Sequence, residues 1–337
     1  MKNLYPLILI SALLLTLNSC QTFSPRYEIQ SHTLIDKIWS VSKQKFITIE
    51  TLEQKTLTKQ LILLGETHDN ARHHQLQAHF IQFLTEHNQT SAVAFEMLNQ
   101  NQQSIIDTFT ADYYSTKPGY SHSQSADKNT DLFAKKINWE KSGWPEWPYY
   151  RPVFFAAINN HLPIIAANME LKQIRKVIKE GSQALDQEYQ DLLKKYQYDK
   201  KLKNELEQEV QSAHCDMLPE KMLSPMLMGQ QTRDLAIMQA IQSSLTTNAQ
   251  TVLIAGSGHT RTDHGIPFYL QQENPELSII SIAFVEVSED EFKPDGYAKA
   301  WSVRAARLPF DYVWFTPRAE REDQCEKMKA YMKKKGK

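Results

Sequence analysis

The sequence predicts an α/β protein built on a mainly parallel sheet flanked by helices, with an added helical lobe. Three observations carry that prediction. Short runs apolar on both faces alternate with longer stretches of helical periodicity. The stretch between the first two runs has the spacing of an amphipathic helix, as a βαβ unit requires. Two polar, helix-rich insertions interrupt the alternation without an internal repeat or a long flexible linker, which favours one domain over two.

At the N-terminus, Lys2 precedes the apolar run LYPLILISALLLTL, too short and too early for a comfortable membrane span, and this leads into LNSC at 17–20. Residues 1–19 therefore read as a secretory signal. Its ending resembles the bacterial lipobox, in which an aliphatic residue stands three places before a cysteine that receives diacylglycerol after cleavage. On that resemblance Cys20 begins the mature chain and carries the lipid, palmitate included. Acyl chains stabilise attachment by roughly 0.8 kcal/mol per buried methylene, so several on one cysteine anchor a protein permanently. Gln21 in place of an aspartate resembles the context for sorting to the outer membrane, facing the periplasm.

Cleavage there removes one charge, Lys2, so 38 basic residues become 37 against 39 acidic, and the net charge moves from −1 to −2. No basic field points to nucleic acid. Cys215 and Cys325 remain, and in an oxidising compartment they either pair or stay free; two cysteines in so long a chain are not a disulfide scaffold. A folded part of roughly 300 residues buries a core without help from metals, so any cofactor site is there for function.

The buried strands are expected at LILLGE (61–66), SAVAFEM (91–97), LPIIAAN (162–168), TVLIAG (251–256) and LSIISIAFVEV (277–287). Between the first two, Leu76, Phe80, Phe83 and Leu84 lie at helical spacing behind the capping residues Asp69 and Asn70. The first insertion, about 112–150, is rich in Tyr, Ser, Lys, Trp and Pro; the second, about 170–250, is mostly a long charged helix followed by a more apolar one. The main domain spans 20–320, and 321–337 is a charged tail with a solvated lysine cluster.

In open parallel sheets, ligands bind beyond the carboxyl ends of the strands. Three predicted strands end there in suggestive groups: Gly65, Glu66 and His68; Glu96 and Met97; Gly256, Gly258 and His259. A carboxylate with a histidine suffices for acid–base chemistry or for holding a divalent metal. Any one of these residues is as readily a helix cap or an ion-pair partner; their coincidence at three strand ends favours a site. Adjacent helical residues point about 100° apart, so only one of His73 and His74 faces the pocket. His79 and His87 read as polar-face residues. GSGHTR lacks the third glycine and the GK[ST] of a nucleotide loop, and no HExxH is present.

Six blocks in order, LGETHDNARHHQLQAHF, AVAFEM, WPEWPYYRPVFFAAINNHLPIIAAN, AHCDMLPEKM with QQTRDLAIMQAI, IAGSGHTRTDHGIP and DYVWFTP, resemble the ChaN family of haem-binding uptake lipoproteins. That family groups with the Tiki and TraB proteins and the erythromycin esterases, some of which use these strand ends as a catalytic or metal site. The resemblance implies haem (iron protoporphyrin IX) held at a dimer interface by a tyrosine with a histidine nearby. Ferric iron favours a phenolate, so tyrosine is a competent axial ligand. Tyr150 is the first choice, because Pro152 disfavours helix at Arg151 and would hold an extended junction before VFFAAI. Tyr149 is the alternative, and Tyr113, Tyr114 and Tyr120 stay open. Trp144 and Trp147 would wall the ligand, Arg151 would favour the phenolate or meet a propionate, His214 would complete the site and Met217 would pack on the porphyrin. The expected function is a lipid-anchored haem carrier or store for iron acquisition, without turnover, forming a haem-induced homodimer and exchanging with an outer-membrane haem receptor. The alternative is a metal-dependent or acid–base hydrolase using Glu66, His68, Glu96 and His259.

Overall fold

Each of the five apolar runs forms a strand, and the runs lie side by side because each has two faces to bury. The computed structural model describes residues 23–87, 89, 91–115, 122–301 and 307–334. The signal segment, Cys20 and Tyr120 lie outside the described residues.

The strands are β1 (Tyr27–Ile29), β2 (Ile38–Ser40), β3 (Lys45–Ile47), β4 (Leu61–Glu66), β5 (Ser91–Asn99), β6 (Ile164–Asn168), β7 (Gln250–Gly256), β8 (Ile279–Glu286), β9 (Tyr312–Thr316) and β10 (Arg318–Ala319). Eight of them form one sheet in the order β3-β2-β9-β8-β4-β7-β5-β6. From β9 to β6 every pairing is parallel, and β2 and β3 continue the β9 edge antiparallel. β1 pairs separately with β10, joining the two ends of the described chain.

The helices are α1 (Ile49–Thr56), α2 (Ala71–Glu86), α3 (Gln103–Tyr114), α4 (His122–Lys136), α5 (Trp147–Asn159), α6 (Leu171–Glu180), α7 (Gln187–Lys195), α8 (Lys200–Ala213), α9 (Leu223–Thr247), α10 (Ser257–Thr260), α11 (Ile266–Glu273) and α12 (Gln324–Lys334). Strand alternation divides the core between two layers. Ile62 and Leu64 of β4 pack with Leu76 and Phe80 of α2 and Phe154 of α5, whereas Leu61 and Leu63 pack with Leu235 of α9 and Ile266 of α11. The expected mainly parallel α/β architecture is therefore present. Among the described residues no helix is long and apolar enough to cross a membrane.

The charged stretch from Asp186 to Val210 forms two helices instead of the one expected. Asp186 and Asp199 each accept a hydrogen bond from a backbone N–H at a helix start, so the second aspartate begins a new helix. Cys215, just after α8, is disulfide-bonded to Cys325 of α12, which resolves the pairing left open by the sequence.

Candidate functional site

β4 and β5 deliver Glu66 and Glu96 to the carboxyl end of the sheet, and both side chains are buried. A lone buried carboxylate is costly, so each is surrounded by donors. Glu66 accepts from the Tyr150 hydroxyl at 2.5 Å, from His68 Nδ1 at 2.8 Å and from Gln77 Nε2 at 2.6 Å, with His74 Nδ1 at 3.2 Å. Burial opposes its ionisation, but the adjacent His74 and His68 hold Glu66 well below the ordinary carboxylate range.

The paired histidines diverge as the helical geometry requires. His74 turns to the site: its Nε2 donates to the His68 carbonyl at 3.0 Å and its Nδ1 meets Glu66 and Gln77. His73 turns toward β9, where Nδ1 accepts from the Thr67 N–H at 2.9 Å and Nε2 lies 2.8 Å from the Thr316 hydroxyl. Burial and the neighbouring His74 push His73 down to about 3, so it is a neutral packing residue. His79 pairs with Glu53 and His87 with the Phe83 carbonyl, both away from the pocket.

The second cluster is built from β5, β7, α9 and α10. His259 lies between two carboxylates, with Nδ1 2.5 Å from Asp234 and Nε2 3.3 Å from Glu96. Glu96 also accepts from the Gly256 N–H at 2.7 Å. Burial opposes charge on His259, but Glu96 and Asp234 raise it to about 10, and burial's opposite pressure on Glu96 is overcome by His259, which lowers that carboxyl to about 2. Among the described residues no group of three or more His, Cys, Asp or Glu side chains is placed to hold a metal, so the expected divalent ion finds no support.

His68 joins the clusters. With Nδ1 on Glu66, its Nε2 faces the Gly256 backbone and Glu96: a Cβ at Gly256 would stand 3.0 Å from His68 Nε2 and 3.5 Å from Glu96 Oε2. Only glycine permits that approach. The His68 side chain is 37% exposed, and although burial lowers its affinity for a proton, the Glu66 hydrogen bond and the charge of Glu96 raise it overall. It is the titrating group of the site that meets solvent. Trp144 packs edge-on against it, with centroids 4.9 Å apart.

The tyrosines are placed differently from expectation. Tyr150, Arg151 and Pro152 all lie inside α5, whose inner face packs on α2, so the extended junction expected before Val153 does not form. Tyr150 is 0% exposed, its ring 4.0 Å from that of His74, and its hydroxyl is directed at Glu66. A phenol so enclosed cannot meet a planar ligand on the surface; burial and the charge of Glu66 raise it well above the usual phenol range. Tyr149, one position earlier, points to the rim, half-buried and edge-on to Phe23 at 4.7 Å. Arg151 does not serve either phenol: it bridges Asp127 and Asp131 at 2.8 Å each and ties α5 to α4. Trp147 packs on Phe154 and bonds Asp131. Tyr113 and Tyr114 sit at the opposite end of the sheet, where the Tyr114 hydroxyl donates to the Leu162 carbonyl just before β6. His214 closes α8, its Nδ1 2.7 Å from the Val210 carbonyl, and the Met217 N–H bonds back to the His214 carbonyl. A cleft of about 450 Å³ opens beside this end of α8, lined by Glu209, Ala213, Gly258, Arg261 and Trp301.

Sequence reasoning missed Gln77, Asp234 and Asn168. Asn168, at the end of β6, donates to the Glu96 carbonyl, and its buried Oδ1 has no partner. Its place at a fourth strand end was the available signal. Asp234 lies mid-helix in α9, inside the block QQTRDLAIMQAI, which was the available signal for it.

Fold and site together define a class: an α/β protein whose parallel strands gather carboxylates and histidines at their carboxyl ends, beneath an aromatic rim. The profile of the family described as haem-binding uptake, Tiki superfamily, ChaN matches residues 52–270, well over half of the chain, and the chain belongs to that family. The solved structure of ChaN from Campylobacter jejuni, a study of cofacial heme binding, is similar at a TM-score of 0.62 with 22% identity, over 85% of this chain and 97% of that one. It shows the same fold. An erythromycin esterase, EreC, solved in an open conformation, is more distant, at a TM-score of 0.41 and 12% identity over 90% of this chain and 100% of that one. No curated protein matches the sequence.

Proposed function

We propose that this protein is a lipid-anchored haem carrier or store of the bacterial envelope, attached through Cys20 to the outer membrane on its periplasmic side. It would serve iron acquisition together with an outer-membrane haem receptor. The observation that carries the reading is the family match over 52–270. The surroundings of the two phenols favour Tyr149 over Tyr150 as the ligand. Tyr150 is enclosed against Glu66, whereas Tyr149 stands half-buried on the rim beside the aromatic ring of Phe23; burial, Asp69 and Glu146 raise its phenol and Arg321 only partly opposes them. Tyr149 and Phe23 fit haem as ligand and wall; bound haem would supply a ferric iron that competes with the proton for the phenolate. His68, reachable beside Trp144, is the nearby imidazole in this reading, ahead of His214.

Titration of the mature protein with haemin tests this. The ferric spectrum is expected to show tyrosinate-type charge-transfer bands that vanish in Tyr149→Phe and persist in Tyr150→Phe, while sedimentation shows a dimer with haem. No Soret shift at micromolar haem would sink the reading; bands lost only in Tyr150→Phe would return the ligand to the inner site. Cys20→Ser is expected to abolish palmitate labelling and leave the precursor uncleaved, and label persisting in that variant would refute the anchor.

A second reading rests on His68. A histidine held by a buried carboxylate, with its other nitrogen facing a glycine turn, has the geometry of a general base. Ester hydrolysis by haem-free protein, lost in His68→Ala, would support a hydrolase.

A further inference from the structure

The first described residue after the point where the lipid would be attached packs on the rim of the site. Phe23 is three residues from Cys20 and is 40% exposed, yet its ring packs on Tyr149. Three extended residues span at most about 10–11 Å. Little slack is added after Phe23, because the Arg26 carbonyl accepts from the Glu320 N–H at 3.0 Å and β1 then pairs with β10. The chain is thus fastened to the body of the protein immediately behind the rim. Phe23 packs on Tyr149, Tyr149 stands edge-on to His74, and Trp144 packs on His68, so the three rings border one site. Tyr and Trp are the side chains that settle best at the boundary between headgroups and hydrocarbon. The nearby arginines are paired, Arg72 with Asp36, Arg318 with Glu28, and Arg321 with Asp69 and Glu286, while the exposed carboxylate of Glu146 acts on the Tyr149 phenol. A surface of this kind suits a neutral bilayer interface better than an anionic one.

We infer that in the haem-free protomer Phe23, Tyr149 and Trp144 form a membrane-docking surface that seats the mouth of the strand-end site against the bilayer carrying the anchor. The partner is a phospholipid bilayer, and the inference rests on the reading of Cys20 as the attachment point. An amphipathic ligand then reaches the site from the lipid side. A protein tethered with its rim facing water would take the same ligand from solution.

The test supplies the anchor chemically, so that it does not depend on acylation in the cell. Cys215 and Cys325 are disulfide-bonded, which leaves Cys20 as the one thiol of the chain that starts there. That chain is coupled to maleimide-phosphatidylethanolamine in phosphatidylcholine vesicles brominated either near the headgroup or deep in the acyl chain. Tryptophan emission is expected to be quenched more by shallow than by deep bromine, at low and high salt alike. Most of the quenchable emission should disappear when Trp144 and Trp147 are both replaced by Phe. Phe23→Glu, at an exposed position where misfolding is not expected, should stay coupled and lose the quenching. Emission equal to that in unbrominated vesicles would overturn the inference, as would quenching unchanged in Phe23→Glu. Palmitate labelling separately decides whether the cell uses Cys20, so the failure of one idea leaves the other standing.

Discussion

Glu66 and Glu96 are both held below the ordinary carboxylate range by neighbouring histidines, through charge and hydrogen bonds together. Glu66 has, besides His74 and His68, a hydrogen bond from the Tyr150 hydroxyl, so Tyr150→Phe removes one short donor and leaves part of a buried carboxylate uncompensated; a loss of about 1–3 kcal/mol is expected by denaturant titration. Glu96 is paired with His259. His259 is raised in the fold from 6.5 to about 10, so its pairing contributes fully below its unfolded value and is lost as pH rises through about 10. Glu96 is lowered from 4.5 to about 2, so its contribution is present above 4.5 and is lost as pH falls through about 2. The pair therefore stabilises most between those unfolded values. Melting temperatures measured from about pH 5 to pH 10 should fall along the alkaline limb in the wild type and much less in His259→Gln. An equal fall in both would mean that another group governs that limb.

At the scale of elements, the junction of β4 and α10 is the tightest contact beneath the site. A Cβ on Gly65 would stand 2.3 Å from the Thr260 Oγ1 and 3.1 Å from the Ser257 Cα. Gly65→Ala is expected to cost roughly 1–3 kcal/mol and to recover part of it when combined with Thr260→Ala. Additive losses in the double variant would show that the two atoms do not compete for the same space. The buried strands were legible because runs apolar on both faces have few alternatives. β2 and β3, three residues each at the sheet edge, carry too little pattern to be read, and DYVWFTP was seen as a block before it could be seen as β9. The preference of a residue before proline for extended backbone is real but weak, and in α5 the burial of Tyr150 and Phe154 outweighs it. The carboxylates and His259 were legible as strand ends. Which of His73 and His74 faced the pocket, and the part played by Asp234, depended on contacts between elements far apart in the chain.

For the whole molecule, the disulfide ties α12 to the end of α8 across a separation of 110 residues. In the chain-entropy picture a loop of that size stabilises by about 4–5 kcal/mol, so Cys325→Ser should lower the melting temperature, and reductant should lower that of the wild type but not shift the variant further. A variant as stable as the oxidised wild type would show that the tail folds onto the body without it. The pairing of β1 with β10, and of β2 with β9, has a consequence for biogenesis. On the proposed envelope location, the segment that would leave a translocation channel first has as its partner strands the ones that would leave last. A chain exported in order from its N-terminus must hold its leading strands unpaired until almost all of the protein has crossed, a demand that favours completion after transport over folding during it. A chain ending at Pro317 lacks β10, so amide exchange in Tyr27–Ile29 should become fast while β4 and β7 stay protected.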